Sequence, residues 1–519
     1  MRKNQNTDVI VVGAGPVGLV AACELARRGV RVRVIDKLAQ PTDQSRAVAV
    51  HARSLDMLDR MGIVDEMLST GIKAIAMQMY AGGRKLFRVP LGEVDSAFPF
   101  TLTTAQTETE RVLGEHLQSL GVTVERGVEL VALTQDDDGA HLTLQRSGST
   151  ERVSASWVVG ADGARSAVRK LVGTKLSGSF VGERFLLGDV EAEHNLDLDA
   201  MHTFFSPDGP VVVLPMSDGR MRFLAEVHDA PGAPLDTDPT LGELQAIIDK
   251  RIGGIRLLRS YWLTRFEIHH ARVPAYRWSR VFLTGDAAHI HSPAGGQGMN
   301  TGMQDAFNLA WKLATVINGD AGETLLDSYE AERAPIADAV ITFTNRLTKA
   351  GTLSGVPRQI RDVAVRMLSR VPAARRAMAE TAEEVNVAYN RSPIAVGRRP
   401  KHATVAAGQH VPHVAEEAVQ KQLRATCGPH ALDHVVLTVA AGQVAPAPGA
   451  GQVQVLVTTE ETPVVGFDNV IADPKGVVAE RFGLKNGGRV VIRPDGYIGA
   501  ITALDDTATI ADYFAKIRS

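Results

Sequence analysis

Val9-Ile10-Val11-Val12-Gly13-Ala14-Gly15-Pro16-Val17-Gly18 is an unbroken run of β-branched residues followed by glycines in GxGxxG spacing. The apolar run suits a strand buried on both faces, as in a parallel sheet. The three glycines have separate jobs: the first makes a tight turn, the second lets a pyrophosphate approach the backbone, and the third lets the next helix pack on the strand. Pro16 to Arg28 reads as that helix, with Val17, Val20, Ala21 and Leu25 on one face and Gly29 closing it. Val30 to Asp36 alternates as a second strand, which completes βαβ and predicts a doubly wound sheet. Asp36 ends that strand about twenty residues after the glycines, placed to accept hydrogen bonds from ribose hydroxyls, with Lys37 beside it.

Working outward, α/β material continues from Ser54 to Gly71 and from Thr107 to Gly121, and Val153 to Gly160 reads as an apolar strand. Between residues 181 and 275 the texture changes to runs such as Val211-Val212-Val213-Leu214 and Arg220-Met221-Arg222-Phe223, which predict antiparallel strands covering a substrate. Val281-Phe282-Leu283 restores the buried-strand pattern, and Thr301 to Val316 is helical, with Ala306, Phe307, Ala310, Trp311 and Leu313 clustered by period. The expected organisation is a discontinuous Rossmann-like nucleotide domain (1–75, 101–180, 276–345), an antiparallel substrate sheet (76–100, 181–275), a helical connection (346–400) and a C-terminal α/β module (401–519). Strands are expected in that module at Val435–Val439, Val453–Val457, Val470–Ala472 and Arg489–Arg493, the last ending in a Pro494-Asp495-Gly496 turn.

The chain has 519 residues, more than one ordinary core, and can enclose a deep pocket. A formal net charge of −3 supplies no basic field for nucleic acid. Cys23 and Cys427 stand alone and form no CxxC pair, which fits a reducing cytoplasm. The N-terminus lacks the pattern of a signal peptide, and no stretch approaches the roughly 20 apolar residues that span a bilayer. Neither a membrane nor a nucleic-acid partner is expected.

Two further strand ends repeat the glycine-aspartate theme: Val158-Val159-Gly160-Ala161-Asp162-Gly163-Ala164-Arg165-Ser166 and Phe282-Leu283-Thr284-Gly285-Asp286-Ala287-Ala288-His289. With the first motif, in this order, they resemble single-component FAD-dependent aromatic hydroxylases, the class A flavoprotein monooxygenases, over residues 7 to 340. The resemblance implies non-covalent FAD on Gly13, Gly15, Pro16, Gly18, Asp36 and Lys37, with Asp162 in a turn serving flavin and nicotinamide and Asp286 accepting from the ribityl chain. It implies that Arg46 and Gln106 touch the flavin or its phosphates. It also implies that Pro293, Gly296, Gly298, Met299 and Asn300 line the isoalloxazine, where a helix N-terminus would favour negative charge on the reduced ring. His289 and His291 lie near Asp286, but no third ligand follows with suitable spacing, so no metal is read. The C-terminal module resembles the thioredoxin-like appendage of some members, without their redox dithiol, and suits packing or a homodimer. Ile498-Gly499-Ala500 departs from the tryptophan-containing strand end that relatives often have there.

Only one complete GxGxxG is present, so NADPH or NADH is expected to dock transiently. By the resemblance, reduced flavin meets O2 to give a C4a-hydroperoxide, which hydroxylates an electron-rich aromatic substrate, phenolic or polyketide-like. The protein then supplies orientation, dryness and electrostatics, and no general base is needed. On the covering sheet His202, Phe204, Phe205, Met216, Arg222, Glu226 and His228 are the candidate substrate contacts. Baeyer–Villiger insertion or epoxidation, a flavin dehydrogenase or oxidase, and a non-enzymatic flavin-binding module stay open at this level.

Overall fold

The computed structural model describes residues 7–227, 238–292, 295–351, 370–397, 399–428, 432–440, 444–447, 452–459 and 466–519. Its central sheet runs Arg277–Trp278, Val281–Leu283, Trp157–Gly160, Val9–Val12, Val32–Asp36, Val124–Arg126. All neighbours pair parallel except the first two. All four residues of Val9–Val12 are buried, as a central parallel strand requires. Pro16–Ala26 is the first helix, with Pro at its start, where its fixed φ and missing N–H cost nothing. It packs against the helices Gln106–Ser119 and Gln297–Ile317. The expected single strand over Val153 to Gly160 is two: Ser149–Ala155 joins a three-stranded antiparallel sheet with Gly139–Arg146 and Glu129–Asp136, and only Trp157–Gly160 enters the central sheet. The sequence reading passed over that small sheet.

The second large sheet has eight strands in the order His289–Ile290, Arg256–Arg272, Ser177–Glu193, Arg220–Val227, Val211–Pro215, Ala200–Phe205, Ala76–Ala81, Arg84–Pro90. Alternation gives it two distinct faces. The outer face carries Leu186, Phe204, Val211, Val213 and Phe223, covered by Leu244 and Ile248 of the helix Leu241–Arg251. That helix begins with a capping box between Thr240 and Glu243. The inner face carries Phe185, Leu187, Val212, Leu224, Trp262 and Phe266, and at one end Leu214 and Met216 meet Val48 and Ala105.

The C-terminal module is a five-stranded sheet ordered Asn469–Ala472, Val453–Thr458, Val435–Val439, Gly488–Ile492, Ile498–Thr502. The first three strands are mutually parallel and the last two antiparallel. Ile498-Gly499-Ala500, read as a departure, is itself strand: a Cβ at Gly499 would lie 2.4 Å from the Tyr513 ring, so glycine lets the last helix, Ala508–Arg518, sit on the sheet. Of the expected helical connection, Pro372–Ala382 is helical and residues 352–369 fall outside the described residues. Among the described residues no helix is long and apolar enough to cross a membrane.

Candidate active site

The three glycine-bearing strand ends meet at one edge of the central sheet, and hydrogen bonds and close backbone contacts hold them together. Ala161 N donates to Val12 O (2.8 Å) and Thr284 N to Gly160 O (3.0 Å). Gly13 has φ +103°, and a Cβ there would fall 2.4 Å from the Ala161 carbonyl oxygen; at Gly18 it would fall 2.0 Å from Gly13 O. A Cβ on Gly15, in contrast, would meet no other atom of the described residues within 4 Å. Gly13 and Gly18 are therefore required by packing, while Gly15 borders open space of the kind a pyrophosphate would fill.

Each acid plays a different part. Asp36 accepts Ala14 N–H and Leu38 N–H, both at 2.8 Å, and lies 3.6 Å from Arg126; Lys37 beside it is exposed. Asp162 is engaged by its own turn, accepting from Ser166 Oγ (2.5 Å), Ala167 N (2.6 Å) and Val168 N (3.1 Å) at the head of the helix Ala167–Leu171. Asp286 sits in a single helical turn, Gly285–Ala287, exposed, and its carboxylate has no hydrogen-bond partner among the described residues. Burial of its surroundings pushes its carboxyl above the usual range, with His289, Arg46 and Arg169 pulling the other way. An acceptor with no donor among the described residues is the feature a polyol would satisfy.

Arg46 is exposed on the same groove, close enough to act on both Asp286 and Glu110. Gln106 does not reach outward: its Oε1 accepts Ala47 N–H (3.1 Å) and its Nε2 donates to Glu110 (2.9 Å), so it braces the Arg46 loop. Gly296, at φ +68°, precedes the helix Gln297–Ile317. A Cβ there would crowd Ala49 at 3.0 Å. Gly298 and Met299 are half-buried in the first turn. The Asn300 side chain, expected at the flavin, is used within the protein: it donates to Ala49 O (2.9 Å) and Gly296 O (2.8 Å) and accepts His51 N–H (3.0 Å). Pro293 and His228 lie outside the described residues.

On the eight-stranded sheet the expectations divide by face. His202 and Phe204 belong to the outer face, with His202 Nδ1 3.2 Å from Tyr80 OH and Phe204 stacked on Tyr80. They are core residues under the helix Leu241–Arg251 and do not reach the groove, because the strand's register, invisible in the sequence, directs them away. Phe205 alternates to the opposite face. Met216 lies at the inner end beside Val48. Arg222 and Glu226 alternate with Leu224 on the inner face, where Arg222 makes a buried fork with Asp189 at 2.6 Å and 2.6 Å.

Sequence reading missed the residues that tie the loops together. Buried Arg169 donates to Ala164 O, Asp286 O and Ala287 O, linking the second and third turns. Its signal was an Arg three residues after the capping Ser166. Asp305, fully buried, accepts from Gly285 N (3.3 Å), His289 Nε2 (2.6 Å) and Arg333 Nε (2.6 Å). Burial would raise its carboxyl, but Arg333 and His289 hold it below the usual range. The connection contributes Glu383, whose carboxylate accepts Ala52 N–H (2.7 Å), while His51 Nε2 lies 2.8 Å from Gly295 O. Burial pushes His291 down to about 4, so it is neutral near pH 7; among the described residues no cluster of three potential metal ligands occurs.

Comparison with known proteins adds a second line of observation. Residues 6–344 match the family described as FAD binding domain, and residues 464–519 match the phenol hydroxylase C-terminal dimerisation domain. The chain is 34% identical to the 6-methylpretetramide 4-monooxygenase of Streptomyces rimosus, over 97% of this chain and 92% of that enzyme. It is 39% identical to a rifampicin monooxygenase of Streptomyces venezuelae over 68% of this chain and 74% of that one. Among solved structures it resembles the OxyS anhydrotetracycline hydroxylase from Streptomyces rimosus at 29% identity and TM-score 0.73, covering 98% of each chain.

Proposed function

Since the chain belongs to the FAD-binding-domain family and is an FAD-dependent aromatic hydroxylase, we propose that the groove joining Gly15, Asp162 and Asp286 holds FAD in extended form. In this reading the inner face of the eight-stranded sheet holds a polycyclic phenolic substrate against the cofactor. The observation that carries it is the pairing of an open backbone cradle at Gly15 with a carboxylate at Asp286 that has no hydrogen-bond partner among the described residues, on turns tied together by Ala161 N to Val12 O and Thr284 N to Gly160 O. Bound FAD supplies the activation of O2, with electrons from NADPH or NADH.

The chain's own residues bind, orient and exclude water. Gly13, Gly15, Pro16 and Gly18 give the pyrophosphate a backbone bed at a helix N-terminus, whose dipole favours the anion, and Arg46 adds a charge to it. Asp36 and Asp286 accept ribose and ribityl hydroxyls, the former after releasing or sharing Ala14 N–H. Asp162 acts through its turn, since its oxygens are engaged. At the ring, Gly296, Gly298, Met299 and Asn300 contribute backbone N–H groups and small surfaces. Phe185, Val212, Leu214, Trp262 and Phe266 offer an apolar wall suited to a flat aromatic molecule, with Met216, Arg222 and Glu226 on the same side. No side chain need act as a general base, because the substrate phenol already makes its ring electron-rich.

The C-terminal module is read as a thioredoxin-like fold that assembles a homodimer. Its order, with Val435–Val439 flanked by a parallel and an antiparallel neighbour, supports the first part; the match of residues 464–519 supports the second.

The test is reconstitution of apoprotein with FAD, followed by NAD(P)H oxidation against a panel of polycyclic phenols under labelled O2. The expected outcome is substrate-stimulated oxidation with one labelled oxygen on a ring carbon. A labelled lactone or ester would replace hydroxylation with Baeyer–Villiger insertion, and stoichiometric peroxide with every aromatic tried would remove oxygen insertion altogether.

A further inference from the structure

The helix Gln297–Ile317 serves two regions at once. Its first turns hold the flavin loops: Gly302 lies against Gly285, where a Cβ would come within 3.0 Å of Gly285 Cα, and Asp305 accepts Gly285 N–H. Three and seven residues on, Asn308 and Lys312 face the C-terminal module, both bonded to Glu332 (2.8 and 2.7 Å), as Trp311 is to Asp495 (3.0 Å). Glu332 takes a two-pronged contact from Arg493 (2.7 and 2.9 Å), whose guanidinium also holds Asp495. Asp305, Glu332 and Asp495 thus balance Arg333, Lys312 and Arg493, all six buried.

A continuous chain of contacts joins the module to the flavin turn. Tyr497 of the module stacks on Tyr389 at 4.1 Å between ring centres. Arg333 Nη1 donates to Tyr389 OH (3.3 Å), Nη2 to Thr301 O (3.1 Å) and Nε to Asp305 Oδ1 (2.6 Å). The other Asp305 oxygen meets Gly285 N–H, one residue before Asp286. The arrangement resists rotation, because the buried Arg333 guanidinium bonds through each of its three nitrogens and turning it would leave the Asp305 carboxylate without its cation.

We infer that the C-terminal module is part of the frame of the flavin site: through Tyr497, Tyr389 and Arg333 it fixes the Asp305 carboxylate that holds the Gly285 turn presenting Asp286. Asp305 is a positioning residue here, and the module acts on FAD binding beyond any role in assembly. The inference rests on the reading that Asp286 meets FAD.

Full-length apoprotein is titrated with FAD, following quenching of flavin fluorescence, with sedimentation velocity run on the same samples. Tyr389→Phe removes only the hydroxyl that accepts from Arg333, and Tyr497→Ala removes the stacked ring. FAD Kd is expected to rise at least threefold in the first and tenfold in the second, with the sedimentation coefficient unchanged. A double-mutant cycle then separates positioning from general loosening: in an Asp286→Ala background, Tyr497→Ala should add less than twofold. Wild-type affinity in both single variants, equal effects of Tyr497→Ala in the two backgrounds, or weakening seen only where the assembly has dissociated, would each overturn the inference. If Asp286→Ala alone leaves FAD Kd unchanged, the underlying reading of Asp286 fails instead. Should Tyr497→Ala not fold, the same cycle is run with Tyr389→Phe.

Discussion

The groove at the ends of the parallel strands and the junction beneath the C-terminal module share one helix, yet they treat charge in opposite ways. At the strand ends, Asp286 and Arg46 are exposed, and the Asp286 carboxylate finds no hydrogen-bond donor among the described residues. At the junction, Glu332, Arg493, Asp495 and Lys312 are buried and each has a partner. Unmatched groups in a recess are an unmet demand, which a ligand satisfies; matched groups in a core are already spent on holding elements together. Charge alone does not mark a site, but the partner count at each charge does.

The largest effect that sharpens this contrast is expected at the junction. Arg493→Met leaves Glu332 and Asp495 short of a cation, and removal of one member of a buried pair costs about 3–5 kcal/mol. Urea unfolding of the full chain would show it as a lowered midpoint; a loss under about 1 kcal/mol would mean the junction is as solvated as a surface pair. Next come the glycines. Gly18→Ala drives a Cβ against Gly13 O and should destabilise the apoprotein by about 1–3 kcal/mol, whereas Gly15→Ala should leave apoprotein stability alone and weaken FAD binding roughly tenfold, about 1.4 kcal/mol. Thermal melts with and without FAD separate the two.

Asp286→Asn should weaken FAD by a similar factor, through loss of charge-assisted hydrogen bonds. Because the Asp286 carboxyl is raised in the folded apoprotein, its contribution to apoprotein stability is full below the ordinary carboxylate range and is lost as pH rises through the raised value. Asparagine should remove that dependence, so the wild-type minus variant difference in apoprotein melting should fall as pH rises above the ordinary carboxylate range; a flat difference would mean the carboxyl is better solvated than its burial suggests. The smallest effect is on the outer sheet face: Phe204→Leu should cost under about 1.5 kcal/mol and leave substrate KM unchanged, while Leu214→Ala on the inner face should raise KM. A KM change from Phe204→Leu would contradict the assignment of faces.

The chemistry-bearing turns were legible because they are local. Gly13 to Gly18, Gly160 to Asp162 and Gly285 to Asp286 each declare strand, turn and acid within a few residues, and a glycine required by steric contact leaves its mark whatever the rest of the chain does. The eight-stranded sheet was legible as antiparallel only in part, since Ala200–Phe205 pairs parallel with Ala76–Ala81, and its facing was not legible at all. His202 and Phe204 look like plausible pocket residues until the pairing of Thr203 with Val212 and of Phe204 with Val211 assigns each a side. Asp162 and Asn300 occur in the expected loops, yet their side chains turn out to be committed to Ser166, Ala167, Ala49 and His51.

By itself the sequence determined the parallel strands of the central sheet, the presence of further strands between residues 181 and 275 and the acids at the strand ends, since each follows from periodicity or from steric need over short spans. Only the tertiary structure decided which acid is free and which is spent, which face of the sheet looks at the groove, and that Asp305, Arg333 and Tyr389 link the last module to the first. Those outcomes depend on partners up to hundreds of residues apart, and hydrogen-bond supply and strand register are properties of the assembled neighbourhood, with no signature in any one segment.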